Sequence, residues 1–381
     1  MDIKKELITE IEKKRNSRLI VYFTGDRMPF NARIAEDAVR PMYDHLQHLL
    51  FNQEPKILDL FLYSRGGDVS VPWRIVSMAR EFCDEFNVLI PYRAQSAATL
   101  LSMGADQIVM GKKAELGPID PTMVKANIGE TSVPPQEIAV EDVNSYVSFL
   151  KERTGIKNQH ALVSLLKSLV TIIGPLALGS VNRQHHHIRL VAEKLLRSRK
   201  IAFTNHKIKR IIEILTEKMY SHGHAIGREE AKSIGLPVVF PNTNLEESLW
   251  RLYLLYEELL KLNNPLFPEI LLKEKENMTL DSFPIAIIES AEKLHVFKMS
   301  ADLIKKRNVP VNPQININLN LQLPQDVRPE QLSSQMQPLF NQMMQQLTKE
   351  IANLVQQEII RQSPVIGFEG RGYGGRWYEE N

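Results

Sequence analysis

Ser96 stands where two unlike stretches meet. Asn87-Val-Leu-Ile-Pro91 before it is an apolar run that reads as a buried strand, and Ser96-Ala-Ala-Thr-Leu-Leu-Ser-Met103 opens an amphipathic helix. The first amides of a helix have no internal partner and carry the positive end of its dipole. A serine hydroxyl there can face a substrate while neighbouring amides receive a developing oxyanion. The same position also suits an ordinary N-cap serine. A second loop, Ser64-Arg-Gly-Gly-Asp68, closes another apolar run, and its glycine amides can approach a ligand closely. In isolation Gly-Gly after a strand is equally a tight turn. Cys83 falls in the helical pattern Ile75–Cys83 and reads as a small core hydrophobe. His185-His-His187 reads as a polar helix face, because consecutive helical side chains diverge too far to chelate one ion. No other spacing suggests a metal site, and no cofactor is expected.

The elements that must position these loops alternate. Strands are expected at 19–24, 56–63, 88–91 and 107–110, with helices at 34–50, 71–86 and 96–104 between them. This order implies an α/β fold with a mostly parallel sheet, and both loops fall at carboxyl ends of strands, where such sheets bind ligands. A charged helix over 3–16, with Ile3, Leu7 and Ile11 on one face, caps the domain or meets a partner. Residues 136–170, 181–198 and 206–221 read as helical. Further on, 245–262 is an amphipathic helix, 315–323 an alternating half-buried or edge strand, and 329–361 a Gln- and Met-rich helix suited to a coiled coil or dimer arm. The glycine-rich tail 367–378 reads as disordered.

The bulk properties exclude some classes. A 381-residue chain with 43% hydrophobic and 24% charged residues is an ordinary globular protein, and its net charge of +2 argues for neither nucleic acid nor a membrane surface. A single cysteine excludes an intramolecular disulfide and fits a cytoplasmic setting. The longest apolar stretch, 169–178, is broken by Gly174-Pro175 and is too short to span a bilayer. There is no P-loop, so unfolding power would come from another protein.

Four motifs occur in an order that resembles the Clp/crotonase superfamily of serine peptidases. They are Ser64-Arg-Gly-Gly, with arginine where that family has proline, Gln95-Ser-Ala-Ala with Gly104–Gly111, Glu115-Leu-Gly-Pro-Ile-Asp-Pro121, and Ile226–Leu236. Together with Pro175–Arg183 and Tyr220-Ser-His222, they resemble most the serine dehydrogenase proteinase (SDH) subgroup, over roughly residues 15–240. The resemblance implies a Clp/crotonase-like spiral core over 1–240, a peptide or protein substrate and a homo-oligomer. Residues 241–381 are expected to form a mainly helical extension.

Carried over by position, the resemblance implies Ser96 as nucleophile, with Gly66, Gly67 and the amide of Ala97 as the oxyanion hole. For the base it leaves His222 with Asp120, exchanged in order relative to Clp proteases, or a lysine, Lys151 before Lys125. The function expected is a serine endopeptidase acting through a Ser96 acyl-enzyme. The alternative is a binding or scaffolding protein on the same fold with a decayed site. A crotonase-type acyl-CoA enzyme is weaker, since its paired acidic residues cannot be placed.

Overall fold

The computed structural model describes residues 3–51, 54, 56–119, 122–125, 136–139, 145–146, 148–153, 158–219, 223–310 and 336–380. The chain divides into two compact units. The first is 1–265 with 282–299 and 374–381, and the second is 266–281 with 300–373.

The first unit is built on strands β1 (Arg18–Thr24), β2 (Ile57–Tyr63), β3 (Glu85–Ile90) and β5 (Gln107–Met110), with the short β10 (Val238–Val239) at the edge. All five run parallel in the order β10-β5-β3-β2-β1. The register of β2 against β3 sets Leu60 opposite Val88. Beyond β1 the sheet continues antiparallel into β11 (Asn277–Glu289), then β12 (Leu294–Arg307) and β13 (Val365–Glu380).

Alternate side chains of these strands feed two cores, as the twofold period of a strand requires. Ile20, Tyr22, Leu58, Leu60, Leu62, Val88 and Ile108 face one core. That core is completed by helices α2 (Val39–Leu50), α3 (Val71–Arg80), α4 (Ala97–Met103), α6 (Pro175–Arg197) and α7 (Asn205–Glu217). Leu19, Val21, Phe23, Phe61, Tyr63 and Leu89 face the other core, closed by α1 (Ile3–Arg15) and α9 (Thr243–Leu259). Near-continuous apolar strands are what a sheet covered on both faces demands. The N-terminal helix therefore packs on α9 through Leu7, Ile8 and Ile11, while Ile3 stays exposed. Cys83 lies just past α3 and is buried, which pushes its thiol up to about 12 and leaves it a core hydrophobe.

Several elements differ from the sequence expectation. Residues 136–170 are not one helix: β7 (Thr122–Lys125) and β8 (Gln136–Ala139) pair antiparallel, and helix α5 (Gln159–Ile173) starts later. Among the described residues after 240, the long strands β11, β12 and β13 stand beside the helices, where the sequence reading expected mainly helix. Pro284 and the run Ile285-Ala-Ile-Ile288 suit a strand better than a helix. The tail is a strand and not disordered. Gly375 sits against the Phe297 ring, Trp377 meets Phe297 edge-on at 5.4 Å between centroids, and Lys298 pairs with Glu380 at 2.5 Å. In the second unit, Arg307 pairs with Glu276 at 2.7 Å and donates to the Ser363 carbonyl at 2.6 Å. The expected strand at 315–323 lies outside the described residues.

One buried polar cluster in the first unit has a pH signature. His45 is fully buried, with Nδ1 2.9 Å from Ser290 Oγ and Nε2 3.1 Å from His295 Nδ1. Burial foremost, then the neighbouring His295, pulls His45 down to about 3 from 6.5. Between those values the unfolded chain binds a proton that the folded chain refuses. Stability is therefore full above the unfolded value and falls as the pH drops through it, by up to ~1.4 kcal/mol per pH unit. The melting temperature is expected to fall measurably from pH 7 to pH 5 and to fall less in His45→Asn, with the remaining slope carried by His295 and His185, which burial also pulls down. A melting temperature of the wild-type chain unchanged over that interval would contradict this.

Candidate functional site

The site begins with a strained serine. The two-residue strand β4 (Arg93–Ala94) ends just before it and α4 starts just after it. Ser96 sits between them at φ 52°, ψ −115°, a conformation that residues other than glycine seldom adopt. Its side chain is half-buried and makes no cap bond to the helix it precedes, so the N-cap role is not taken up. Such a sharp strand-to-helix turn pushes a hydroxyl out of the fold rather than into it.

The loop after β2 is laced to this turn. The Ser64 amide donates to the Arg93 carbonyl and the Gln95 amide to the Ser64 carbonyl, both at 3.0 Å. That lacing brings Gly66, at φ 108°, directly against Ser96: a Cβ on Gly66 would lie 2.7 Å from the Ser96 Cβ. The Gly66 amide is engaged, donating to Ser64 Oγ at 3.0 Å, and Thr24 Oγ1 donates to the same oxygen at 2.7 Å. Gly66 therefore contributes close approach rather than a free amide. The neighbouring Gly67 is fixed by Ile34, whose amide donates to the Gly66 carbonyl at 2.9 Å and whose carbonyl accepts from Asp68 at 2.8 Å. Among the described residues, the Gly67 and Ala97 amides have no hydrogen-bond acceptor.

A second small sheet gathers the chain segments that flank the expected base. It has the order β4-β6-β9, with β6 (Glu115–Leu116) parallel to β4 and β9 (Ile226–Gly227) antiparallel to β6. The buried Thr99 ties α4 to the same place. Its hydroxyl lies 2.7 Å from the Ala94 carbonyl and 2.9 Å from the Gly117 carbonyl, and it accepts from the Gly117 amide at 3.1 Å. Ile119 donates to the Leu215 carbonyl at 3.0 Å, joining this loop to the end of α7. Asp120 and His222 lie outside the described residues, as do the side chains of Lys151 and Lys125.

Charged side chains brace the turn from behind. Glu115 Oε1 accepts from both Arg93 Nε and Gln95 Nε2 at 3.0 Å, so one carboxylate holds residues on either side of Ala94. Asp26 accepts from the Tyr63 hydroxyl at 2.8 Å and pairs with Arg65. Arg65 replaces the proline of the resembled motif and is thus held by a carboxylate where proline would be held by its ring. Sequence reading quoted Glu115 only as the start of a motif and missed its bracing role, along with those of Thr99 and Asp26. Thr99 left a faint trace, a hydroxyl that with Ser102 interrupts the apolar residues of the helix. The three adjacent histidines diverge as expected: His187 meets Ser70 at 3.2 Å, and His185 lies 3.6 Å from Glu217.

Residues 1–133 match the family model of ClpP-like SDH-type serine proteinases. An uncharacterized protein of Methanocaldococcus jannaschii is 27% identical over 260 residues, covering 66% of this chain and 78% of that protein. A second uncharacterized protein of the same organism is 24% identical over 259 residues, covering 66% of this chain and 75% of that protein. Among the described residues, no helix is long and apolar enough to cross a membrane.

Proposed function

Because residues 1–133 match the ClpP-like SDH-type serine proteinases, we propose that the chain cleaves peptide bonds with Ser96 as nucleophile. The observation that carries this reading is the Ser96 turn itself: a left-handed serine, free of any cap bond, pressed against Gly66. The Ser96 oxygen attacks the peptide carbonyl carbon while a base takes its proton. The carbonyl oxygen becomes an oxyanion held by the Gly67 and Ala97 amides. Collapse breaks the C–N bond, the base returns the proton to the leaving amine, and water then releases the acyl group by the same path. The base is His222 oriented by Asp120, with Lys151 as the competing assignment. The small sheet supports the first choice, because β6 leads into the segment that carries Asp120 and β9 follows the one that carries His222.

The test is covalent labelling by a fluorophosphonate probe, together with hydrolysis of an unfolded protein substrate. Wild-type protein is expected to label and to cleave. His222→Ala is expected to lower turnover by 10²-fold or more, about the contribution of one general base, while Lys151→Ala leaves it within a few-fold. The reverse pattern reassigns the base. A wild-type chain that neither labels nor cleaves sinks the peptidase reading in favour of a scaffold.

A further inference from the structure

Two buried hydroxyls interrupt the apolar residues of α4, and they are used differently. Ser102 Oγ donates to the Ala98 carbonyl at 2.8 Å, four residues back in its own helix, as a helical serine commonly does. Thr99 Oγ1 leaves the helix. It reaches the Ala94 carbonyl of β4 at 2.7 Å and the Gly117 carbonyl at 2.9 Å, and it accepts from the Gly117 amide at 3.1 Å. A hydroxyl carries one proton, so it donates to one of these carbonyls at a time.

The register shows what this hydroxyl replaces. Strands β4 and β6 run parallel with Arg93 opposite Glu115 and Ala94 opposite Leu116. The Glu115 amide donates to the Tyr92 carbonyl at 2.6 Å. Two residues on, an unbroken parallel ladder would send the Gly117 amide to the Ala94 carbonyl. Here the Gly117 amide donates to Thr99 Oγ1, and Thr99 Oγ1 donates to Ala94. The last rung of the ladder is therefore a side chain of α4 set between two backbones. Branching at Cβ restricts χ1, so threonine holds such a rung more rigidly than serine would. The rung also seats Gly117 beside the residue that precedes the nucleophile: a Cβ on Gly117 would lie 3.2 Å from the Gln95 Cβ. Beyond Gly117 the chain runs through Pro118 and Ile119 to Asp120.

We propose that Thr99 is a positioning residue of the Ser96 site, its hydroxyl serving as the rung that fixes the Gly117 segment against the Ser96 turn. The inference rests on the peptidase reading. Thr99 touches no substrate and acts through Gly117 and Gln95. With the hydroxyl removed, the Gly117 amide and the Ala94 carbonyl face each other across a gap built for an oxygen, and the segment that runs on to Asp120 shifts relative to Ser96. A displacement of about 1 Å between reacting groups costs on the order of 10²-fold in rate. The surfaces that bind substrate are left as they were, so the loss falls on kcat and spares KM.

The test measures kcat and KM of the full chain on a fluorescently labelled unfolded protein, with the rate of fluorophosphonate labelling beside them. Thr99→Val keeps the shape and removes the hydroxyl. It is expected to lower kcat and the labelling rate by on the order of 10²-fold, with KM within about three-fold of wild type. Thr99→Ser is expected to recover most of that loss. Ser102→Ala removes the other buried hydroxyl of α4 and is expected to keep the wild-type kcat, which separates positioning from a general loss of stability. Gly117→Ala leaves Thr99 in place but presses on Gln95, and it is expected to lower kcat without raising KM; it carries the test if Thr99→Val does not fold. The role is overturned, with the peptidase reading intact, by a Thr99→Val chain that turns over like wild type, an equal loss in Ser102→Ala, a Thr99→Ser chain as slow as Thr99→Val, or a Gly117→Ala chain with wild-type kcat. A wild type that neither labels nor cleaves overturns both.

Discussion

Ser96→Ala is expected to abolish fluorophosphonate labelling and to lower turnover by on the order of 10⁶-fold, leaving only what binding and the oxyanion donors sustain. The fold should not notice. The hydroxyl makes no cap bond to α4 and is half-buried, so its loss costs the folded state within about 0.5 kcal/mol. The backbone strain stays, because alanine at φ 52° is as uncomfortable as serine. Ser96→Gly separates the two quantities. It is equally inactive, yet glycine adopts this conformation freely, so the melting temperature should rise, consistent with relief of about 1 kcal/mol. Labelling that survives Ser96→Ala would move the nucleophile elsewhere. A glycine variant less stable than the alanine one would remove the claim of strain.

Gly67→Ala is expected to damage the fold as well as the site. At φ 155°, an added Cβ would land on the Ile34 carbonyl oxygen and within 2.6 Å of its amide nitrogen. Those atoms belong to the hydrogen bonds that pin the 64–68 loop, and backbone cannot swing aside as a side chain would. Overpacking and lost backbone bonds together come to roughly 3–5 kcal/mol, a fall in melting temperature on the order of 10 °C. Labelling should disappear with it, since the loop carries the proposed Gly67 donor. Gly227→Ala is the control: a Cβ there meets open space, so a change under about 1 kcal/mol is expected. Equal melting temperatures for the two variants would mean that the loop is looser than its hydrogen bonds imply.

The parallel strands and the two loops were legible because their signals are local. Leu58 to Tyr63 and Val88 to Ile90 are apolar enough to be buried on both faces, and a glycine loop follows the first at once and the small residues Ser96-Ala-Ala98 follow the second within six. Ser96 could be singled out from its position between strand and helix. What residue types could not supply were the partners. Nothing near Thr99 in the chain announces Gly117, and nothing near His45 announces Ser290 or His295. The C-terminal strands failed for the same reason. The mixed run from 282 to 300 has no single period to betray a strand, and the tail looks disordered until Phe297 and Trp377 meet. Glycines that suggest flexibility in isolation permit close packing once an aromatic ring lies against them.

The small β4-β6-β9 sheet has a kinetic meaning. Each of its strands is two residues long, whereas the neighbouring β1 and β2 each span seven. So short a ladder has few hydrogen bonds of its own, and Ala94, Leu116 and Ile226, one from each strand, anchor it in the larger core, so its opening exposes those side chains while the main sheet stays paired. In the proposed mechanism it lies between the nucleophile, which rides on β4 and α4, and the segments bearing the base, which follow β6 and precede β9. Opening that ladder would part acid–base chemistry from the nucleophile while the rest of the molecule stays folded. Activity in such an enzyme is a property of a minority interval of the chain, and anything that clamps or pries 115–116 against 226–227 sets how much of the population is competent at a given instant.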